Sequence, residues 1–251
     1  MSTTERFRPP SHVAPDGLKS KALFFLRRVL DFQFNTIFST LQRAMPQYSG
    51  TVIDIGCGNC PFEHLVDTNK ARYIGIDVAD AQKWDYTNSK IVTYDGKNIP
   101  FAAASVDHLI CTEVLEHVPE PHDLIADMYR VLKPGGTGII TIPWSARFHY
   151  KPYDYHRYTP STLEALFNQF ASVRVQNRGT DINAIVNKSI VLYFGNVSTL
   201  TESVLWLPVK VLLLLVFAPV IGLLVLWGHL ALAFGWGSSD DPLGYTIWLQ
   251  K

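Results

Sequence analysis

Val52-Ile53-Asp54-Ile55-Gly56-Cys57-Gly58-Asn59-Cys60 decides the reading of this chain. An apolar, β-branched run from Thr51 to Ile55 stops abruptly at Gly56 and Gly58, as a buried parallel strand does. Glycines placed straight after such a strand make a tight turn whose backbone can come close to a ligand. Pro61 stands where a helix can begin, since a first-turn residue has no use for its N–H. The expectation is a strand, a glycine turn and a crossover helix over 61–70, which together form a nucleotide-binding corner.

The next segment supports that corner. Arg72-Tyr73-Ile74-Gly75-Ile76-Asp77-Val78 reads as a second short strand ending in an acid. Asp77 follows the glycine turn at a spacing that suits a carboxylate accepting hydrogen bonds from ribose hydroxyls. The full G-x-G-x-x-G of a dinucleotide fold is absent, because position 61 is Pro, so NAD is disfavoured. Ile91 to Tyr94 is a third strand, His108 to Cys111 a fourth and Gly138 to Ile142 a fifth. A helix over 121–132 has Leu124, Ile125, Met128 and Val131 inward and is expected to stop at Lys133-Pro134-Gly135-Gly136 on a glycine cap.

D-x-G-x-G with a strand-end acid resembles the class I S-adenosylmethionine-dependent methyltransferases. Tyr94-Asp95-Gly96, Ile99-Pro100-Phe101, Val106-Asp107, Glu113-Val114-Leu115-Glu116-His117-Val118 and Leu132-Lys133-Pro134-Gly135-Gly136 extend that resemblance over about residues 48–178. Cys60 departs from it, where the family has a third glycine or another small residue. The resemblance implies an α/β, Rossmann-like, seven-stranded sheet in the order 3214576 with helices on both faces, and S-adenosylmethionine as cofactor. It implies that Asp54, Gly56, Cys57 and Gly58 surround the cofactor's methionine end, with Asp54 facing the ammonium. Asp77 and Val78 would lie at the ribose, Asp95 and Gly96 at the adenine, and Glu113 at the edge of the same pocket. His117 is the first candidate for a general base and His156 the second.

Glu113, Glu116 and His117 are spaced i, i+3, i+4, so a helical turn would put them on one face. Methyltransferases of ubiquinone-pathway and small-RNA type carry an E-x-x-E-H run as a metal site, whereas others carry the same letters without metal. Two carboxylates and one imidazole make only part of an octahedral set, so the reading adopted assigns no metal. After strand five an aromatic, basic loop runs from Arg147 through Phe148, His149, Tyr150, Lys151, Tyr153, Asp154, Tyr155, His156 and Arg157 to Tyr158. Six aromatics or histidines in ten residues exceed what a solvated loop needs, which points to substrate contact. Thr159-Pro160-Ser161 then opens a helix.

Composition bounds the rest. A 251-residue chain can hold one such domain with an appendage. Formal net charge is zero and no basic face is evident, which argues against nucleic acid as a partner. Three cysteines make no disulfide framework, and Cys57 and Cys60 have no second pair to complete a zinc site. Residues 1–17 form a polar tail without the apolar core of a signal peptide. From Leu18 to Met45 apolar residues recur at helical spacing, and Lys19, Lys21, Arg27 and Arg28 make the first half basic. That helix reads as a cover for the sheet, or as an amphipathic helix on an anionic membrane.

Val173 to Gln176 is strand six, and Gly244 to Leu249 alternates as the antiparallel strand seven that belongs between strands five and six. Between them lies an apolar insert, without Asp, Glu, Lys or Arg from Val211 to Ser239. Pro219 and Gly222 would divide it into arms at 205–218 and 220–234, each short for a bilayer crossing. Since strand seven must rejoin the sheet, the expectation is a helical hairpin that dips into the membrane and leaves on the same side. The chain thus divides into a tail and amphipathic helix at 1–47, a cofactor-binding domain at 48–178, the insert at 179–241 and the last strand at 242–251. Lys188 and Lys210 suit the cytoplasmic side of a membrane. A homodimer interface is the alternative use for the insert. The functional expectation is methyl transfer to a small-molecule, lipid or glycan-lipid acceptor at the membrane surface. The competing readings are a metal-dependent O-methyltransferase of a quinone-precursor-like phenol, or a non-catalytic membrane module.

Overall fold

The computed structural model describes residues 17–78, 91–198 and 207–251. Its centre is a seven-stranded sheet: β1 (Gly50–Ile55), β2 (Ala71–Val78), β3 (Val92–Tyr94), β4 (Val106–Thr112), β5 (Leu132–Pro143), β6 (Ser172–Arg178) and β7 (Gly244–Gln250). The order is β3-β2-β1-β4-β5-β7-β6, with β7 antiparallel to both neighbours, as the sequence predicts. β1 is buried on both faces from Val52 on, and its side chains alternate between them: Ile53 and Ile55 join the core on one face, while Val52 joins the core on the other. The first core takes its cover from α3 (Pro121–Val131) and α4 (Pro160–Leu166), the second from α2 (Phe32–Ala44).

Four expectations are corrected. The N-terminal helix is two, α1 (Leu18–Leu30) and α2, because Asp31 leaves helical geometry and its Oδ1 caps Phe34 N at 2.9 Å. No α-helix follows Pro61. The segment makes one 3-10 turn, Glu63–Leu65, and an Asp67 turn whose Oδ1 accepts from Asn69 N at 3.0 Å returns the chain to β2. Buried Phe62 and Val66 fill the space a helix would take. The α3 helix ends without a glycine cap: Leu132 turns extended at once, and β5 runs through Pro134-Gly135-Gly136.

The fourth correction concerns the insert. The chain from 207 to 234 is one helix, α6 (Leu207–Phe234), continuous through Pro219. Its partner is α5 (Asp181–Ser198), held in part by Tyr193 Oη donating to Leu214 O at 3.0 Å. A hairpin is therefore present, with α5 and α6 as its arms, and the stretch joining them, 199–206, lies outside the described residues. The hairpin closes at its base. Asp181 N donates to Ser238 O, Thr180 Oγ1 to Trp236 O and Asn183 Nδ2 to Gly228 O, at 2.7–3.0 Å. Phe32, Ala184, Val186, Ile190, Val225 and Leu243 form a third small core there.

Strand polarity fixes where this base sits. Arg178 ends β6, Gly244 begins β7, and both pair into register near Pro143, the end of β5. The hairpin thus leaves and re-enters at the carboxyl end of the parallel strands, where open α/β sheets bind ligands.

Candidate functional site

The glycine turn after β1 is built by its immediate neighbours. Gly56 N and Cys57 N both donate to Ile76 O, at 2.9 and 3.1 Å, which seals the turn against β2. Gly58 N donates to Asp77 Oδ2 at 2.9 Å, and Asp77 Oδ1 accepts from Val78 N at 2.8 Å. Gly56 has φ +68°, and a Cβ there would lie 2.4 Å from Val114 Cγ2. The turn and the chain after β4 are pressed together in a way only glycine allows.

The Cys60 departure has a packing reason. A Cβ on Gly75 would lie 2.6 Å from Cys60 Sγ and 2.7 Å from Cys57 Sγ, so the two buried thiols occupy the space that Gly75 leaves. A hydrogen bond with Cys60, and then burial, push the Cys57 thiol well up and keep it protonated. Cys57 therefore offers a ligand only its backbone.

Asp54 is fully buried. Tyr73, one strand over on β2, donates to its Oδ2, while Oδ1 has no protein partner. Burial raises its carboxyl to about 7 against the relief given by Tyr73, with nearby Asp77 adding to the rise. An orphaned carboxylate oxygen beside a glycine turn fits an ammonium-bearing ligand such as S-adenosylmethionine, and Asp77 at the tip of β2 fits its ribose. Asp95 at the tip of β3 is instead occupied by its own turn. It accepts from Lys97 N at 2.8 Å and from Asn98 N and Nδ2 at 2.6 Å, and these bonds hold it down at about 2. Gly96 packs toward Val78, bringing the tips of β2 and β3 together.

The run after β4 is not the single helical face expected. Leu115–His117 makes a 3-10 turn, and Glu113 takes φ +54°. Glu113 Oε1 accepts from Arg178 Nη2 at 2.7 Å, whereas Glu116 is wholly buried with neither carboxylate oxygen hydrogen-bonded. Burial, and next the charge of Glu113, push Glu116 far above the usual carboxylate range. His117 Nδ1 lies 2.6 Å from Tyr153 O, which can only accept, so Nδ1 carries the proton. Nε2 is left 3.7 Å from Glu116 Oε1, too far for a hydrogen bond. Burial holds His117 below its ordinary value and so neutral near pH 7.

His149, from the loop after β5, completes a group that the spacing did not reveal: ligand atoms of Glu116, His117 and His149 all lie within 4.8 Å of one another. Asp154 backs this group, with its Oδ2 3.1 Å from His149 Nδ1 and both oxygens held by Arg157 at 2.6 and 2.8 Å. His156 does not join it; its Nε2 lies 3.3 Å from Pro119 O. Tyr155 N and His156 N both donate to Glu116 O, so the aromatic loop lies against the β4 turn. Glu113 and Glu116 thus part company, one to Arg178 and one to the histidines.

Arg178 was not legible as a site residue. It is 3% exposed and donates to Glu113, to Ile142 O at 3.1 Å and to Gln33 Oε1 at 3.0 Å, tying the β4 tip, β5 and α2 to the hairpin's root. A cleft of about 610 Å³ lined by Arg43, Tyr48, His108, Thr137, Arg174 and Trp248 opens at the amino end of the strands, away from this chemistry.

Comparison with known proteins agrees with the fold and the corner. Residues 53–140 match the family described as methyltransferase domain. An uncharacterized methyltransferase of Mycobacterium sp. (strain KMS) is 32% identical over 95 residues, 36% of this chain and 38% of that protein. One from Mycobacterium tuberculosis (strain ATCC 25618 / H37Rv) is 33% identical over 102 residues, 38% of this chain and 40% of that protein. The chain thus spans about two fifths of the length of the curated relatives it matches. A SAM-dependent methyltransferase from Archaeoglobus fulgidus shares the fold at a TM-score of 0.53 and 17% identity, covering 91% of this chain and 99% of its own. Phosphoethanolamine N-methyltransferase 2 of Haemonchus contortus, solved with S-adenosyl-L-methionine, does so at 0.52 and 17%, over 86% of this chain and 52% of its own. Around the glycine corner, over residues 53–140, the chain is similar to a methyltransferase domain, and its sheet has the fold of S-adenosylmethionine-dependent methyltransferases.

Proposed function

We propose that the protein methylates a lipid, glycan-lipid or other small acceptor at a membrane surface, on the cytoplasmic side, with its α5/α6 hairpin seated in the bilayer. One observation carries the reading: the hairpin springs from the same end of the sheet as the site. The α6 helix has 28 residues, and its most apolar 18-residue stretch has a mean hydropathy of 2.8 with only 6% of it buried. At 1.5 Å per residue it is about 42 Å long, more than a hydrocarbon core of about 30 Å. Leu212, Leu215, Val216, Leu223 and Leu226 are all more than half exposed, a surface that water does not favour. The loop that covers the β4 turn leaves β5 at the hairpin's return, where Trp144 Nε1 donates to Asp241 Oδ1 at 2.9 Å. A seated hairpin would therefore hold the mouth of the site at headgroup level.

The bound cofactor supplies an electrophilic methyl group. The chain's own part is placement. Gly56 and Gly58 admit the backbone to the ligand, Asp54 holds its ammonium and Asp77 its ribose, while the β4 turn and the aromatic loop exclude water. His117, neutral with Nε2 bare, is suited to accept the acceptor's proton, and His156 is too far occupied at Pro119 to compete. The test is membrane fractionation followed by labelled S-adenosylmethionine with lipid extracts. Label entering a lipid supports the reading; a protein that stays soluble without detergent and labels no lipid defeats it.

A second reading has its own support. Glu116, His117 and His149 together suit a divalent ion, since Glu116 is buried with both oxygens unused and Asp154 orients His149. In a metal-dependent O-methyltransferase of a phenol these three would hold the ion, which would lower the acceptor hydroxyl's pKa. Full activity in excess chelator ends that reading.

A further inference from the structure

The α1 helix faces the wrong way for a soluble protein. Ahead of its last two residues, its interior contacts include Phe24, whose ring lies 4.8 Å from that of Phe38, and two arginines. Arg27 stacks on Phe34 at 3.9 Å and Arg28 on Phe38 at 4.8 Å. The opposite side carries Leu18, Ala22, Phe25 and Leu26, spaced to share one stripe, and all four are exposed. Leu18 is 89% exposed and Phe25 68%. No residue of α1 is buried. The stripe continues through Val29 and Leu30, which pack on the core at the hairpin's base, and Val29 O lies 3.0 Å from His229 Nε2 of α6. The bare face of α1 is thus the near end of the same apolar surface that the hairpin presents. Lys19 and Lys21 are exposed beside the stripe, and α1 contains no acid.

We propose that α1 is a second membrane contact. It lies at headgroup level beside the hairpin, with Leu18, Phe25 and Leu26 in the interface and Lys19 and Lys21 on anionic phospholipid headgroups. This rests on the membrane reading above and adds a lipid class to it. An apolar stripe on one side with cations at its edge is the pattern of helices that lie in the plane of an anionic surface, and lysine stems let the charge reach the phosphates while the stripe stays buried. Two contacts of different kinds would also fix the tilt of the domain, which a hairpin alone leaves free to swing.

The full-length chain gives the test. Cys57, Cys60 and Cys111 are buried, so a polarity-sensitive thiol dye will report from Phe25→Cys, or from Leu215→Cys on α6. Each labelled protein is reconstituted into vesicles of acyl-brominated phosphatidylcholine, with or without phosphatidylglycerol. The expected result is bromine quenching at position 215 in both vesicles and at position 25 chiefly with phosphatidylglycerol. Lys19→Gln and Lys21→Gln should each reduce that preference about fivefold. Quenching at 215 without quenching at 25 overturns the role of α1 and leaves the hairpin reading standing. A blue-shifted but unquenched label at 25 means that protein, a second copy, covers the stripe, and also overturns it. Equal quenching at 25 in both vesicles removes the anionic headgroup. Quenching at neither position defeats the membrane reading itself.

Discussion

The turn after β1 and the turn after β4 lie side by side at the carboxyl end of the sheet, and they are finished in different ways. Around the β1 turn, apart from the press of Val114 on Gly56, the partners come from within about twenty-five residues: Tyr73 to Asp54, Asp77 to Gly58, and two thiols over Gly75. Around the β4 turn the partners come from far along the chain. Arg178 reaches Glu113, and Tyr153, His149 and the Tyr155 backbone surround Glu116 and His117. One buried oxygen is orphaned at the first turn and two at the second. A turn finished by local chain is set by its own neighbourhood, whereas one finished by distant segments depends on whatever those segments carry. Unmet buried polar atoms at both turns call for an explanation, and a bound ligand is the one proposed above.

The largest effect should come where the two turns touch. Gly56→Ala must hold a side chain at φ +68° and push it into Val114. Strain and overpacking together should cost about 4 kcal/mol in urea unfolding. A loss below about 1 kcal/mol would mean that the turns are not pressed together.

Arg178→Ala comes next and acts on the second turn alone. It strands Glu113 and frees Gln33 and Ile142 O, so a loss of about 3 kcal/mol is expected. Arg178→Lys should recover little of it, because one ammonium cannot span acceptors on three elements. Cofactor affinity should change far less than stability. Equal losses in both would erase the distinction between a local corner and a long-range one.

Asp77→Ala inverts that pattern. It should weaken S-adenosylmethionine binding by about 1.5–3 kcal/mol in calorimetry, the range of hydrogen bonds to a charged group. NAD should bind neither form. Unchanged affinity would reduce Asp77 to a prop for Gly58.

Legibility in the sequence follows the same division. The strand order is what the family resemblance implies, while the placing of Asp54, Gly56, Gly58 and Asp77 could be read because glycine turns and strand-end acids sit close together and follow apolar strands. The helix expected after Pro61 was not there, since Asp67-Thr68-Asn69 favours its own turn and the crossover needed no more than packed Phe62 and Val66. Pro219 invited a break that the structure does not make, and the hairpin's arms are two separate helices, α5 and α6, instead of two halves of one stretch. Arg178 and His149 left no local trace. An arginine at a strand end is ordinarily solvated, and only the return of β7 buries this one.

The smallest predicted effect separates the two roles that Asp54 could have. Burial raises its folded-state carboxyl to about 7, against an ordinary value of 3.8. A raised acid binds its proton more tightly folded than unfolded, so the ligand-free protein is favoured by this group at low pH. That contribution is lost as pH rises from about 4 through about 7. Cofactor binding should run the other way. An ammonium placed against Oδ1 favours the carboxylate, and an α-amino group itself stays protonated below about pH 7.7. Affinity should then climb with pH below about 7, by no more than about 1.4 kcal/mol per unit, and flatten above it. Calorimetry in buffers of different ionisation enthalpy should show a proton released on binding at pH 6.5. Asp54→Asn should bind more weakly, with no slope in that window and no proton released. A slope that survives in Asp54→Asn would place the titrating group elsewhere. Wild-type binding that is flat from pH 5 to 7 would leave Asp54 only the task of holding Tyr73, and the β1 turn would then be as unfinished as its neighbour.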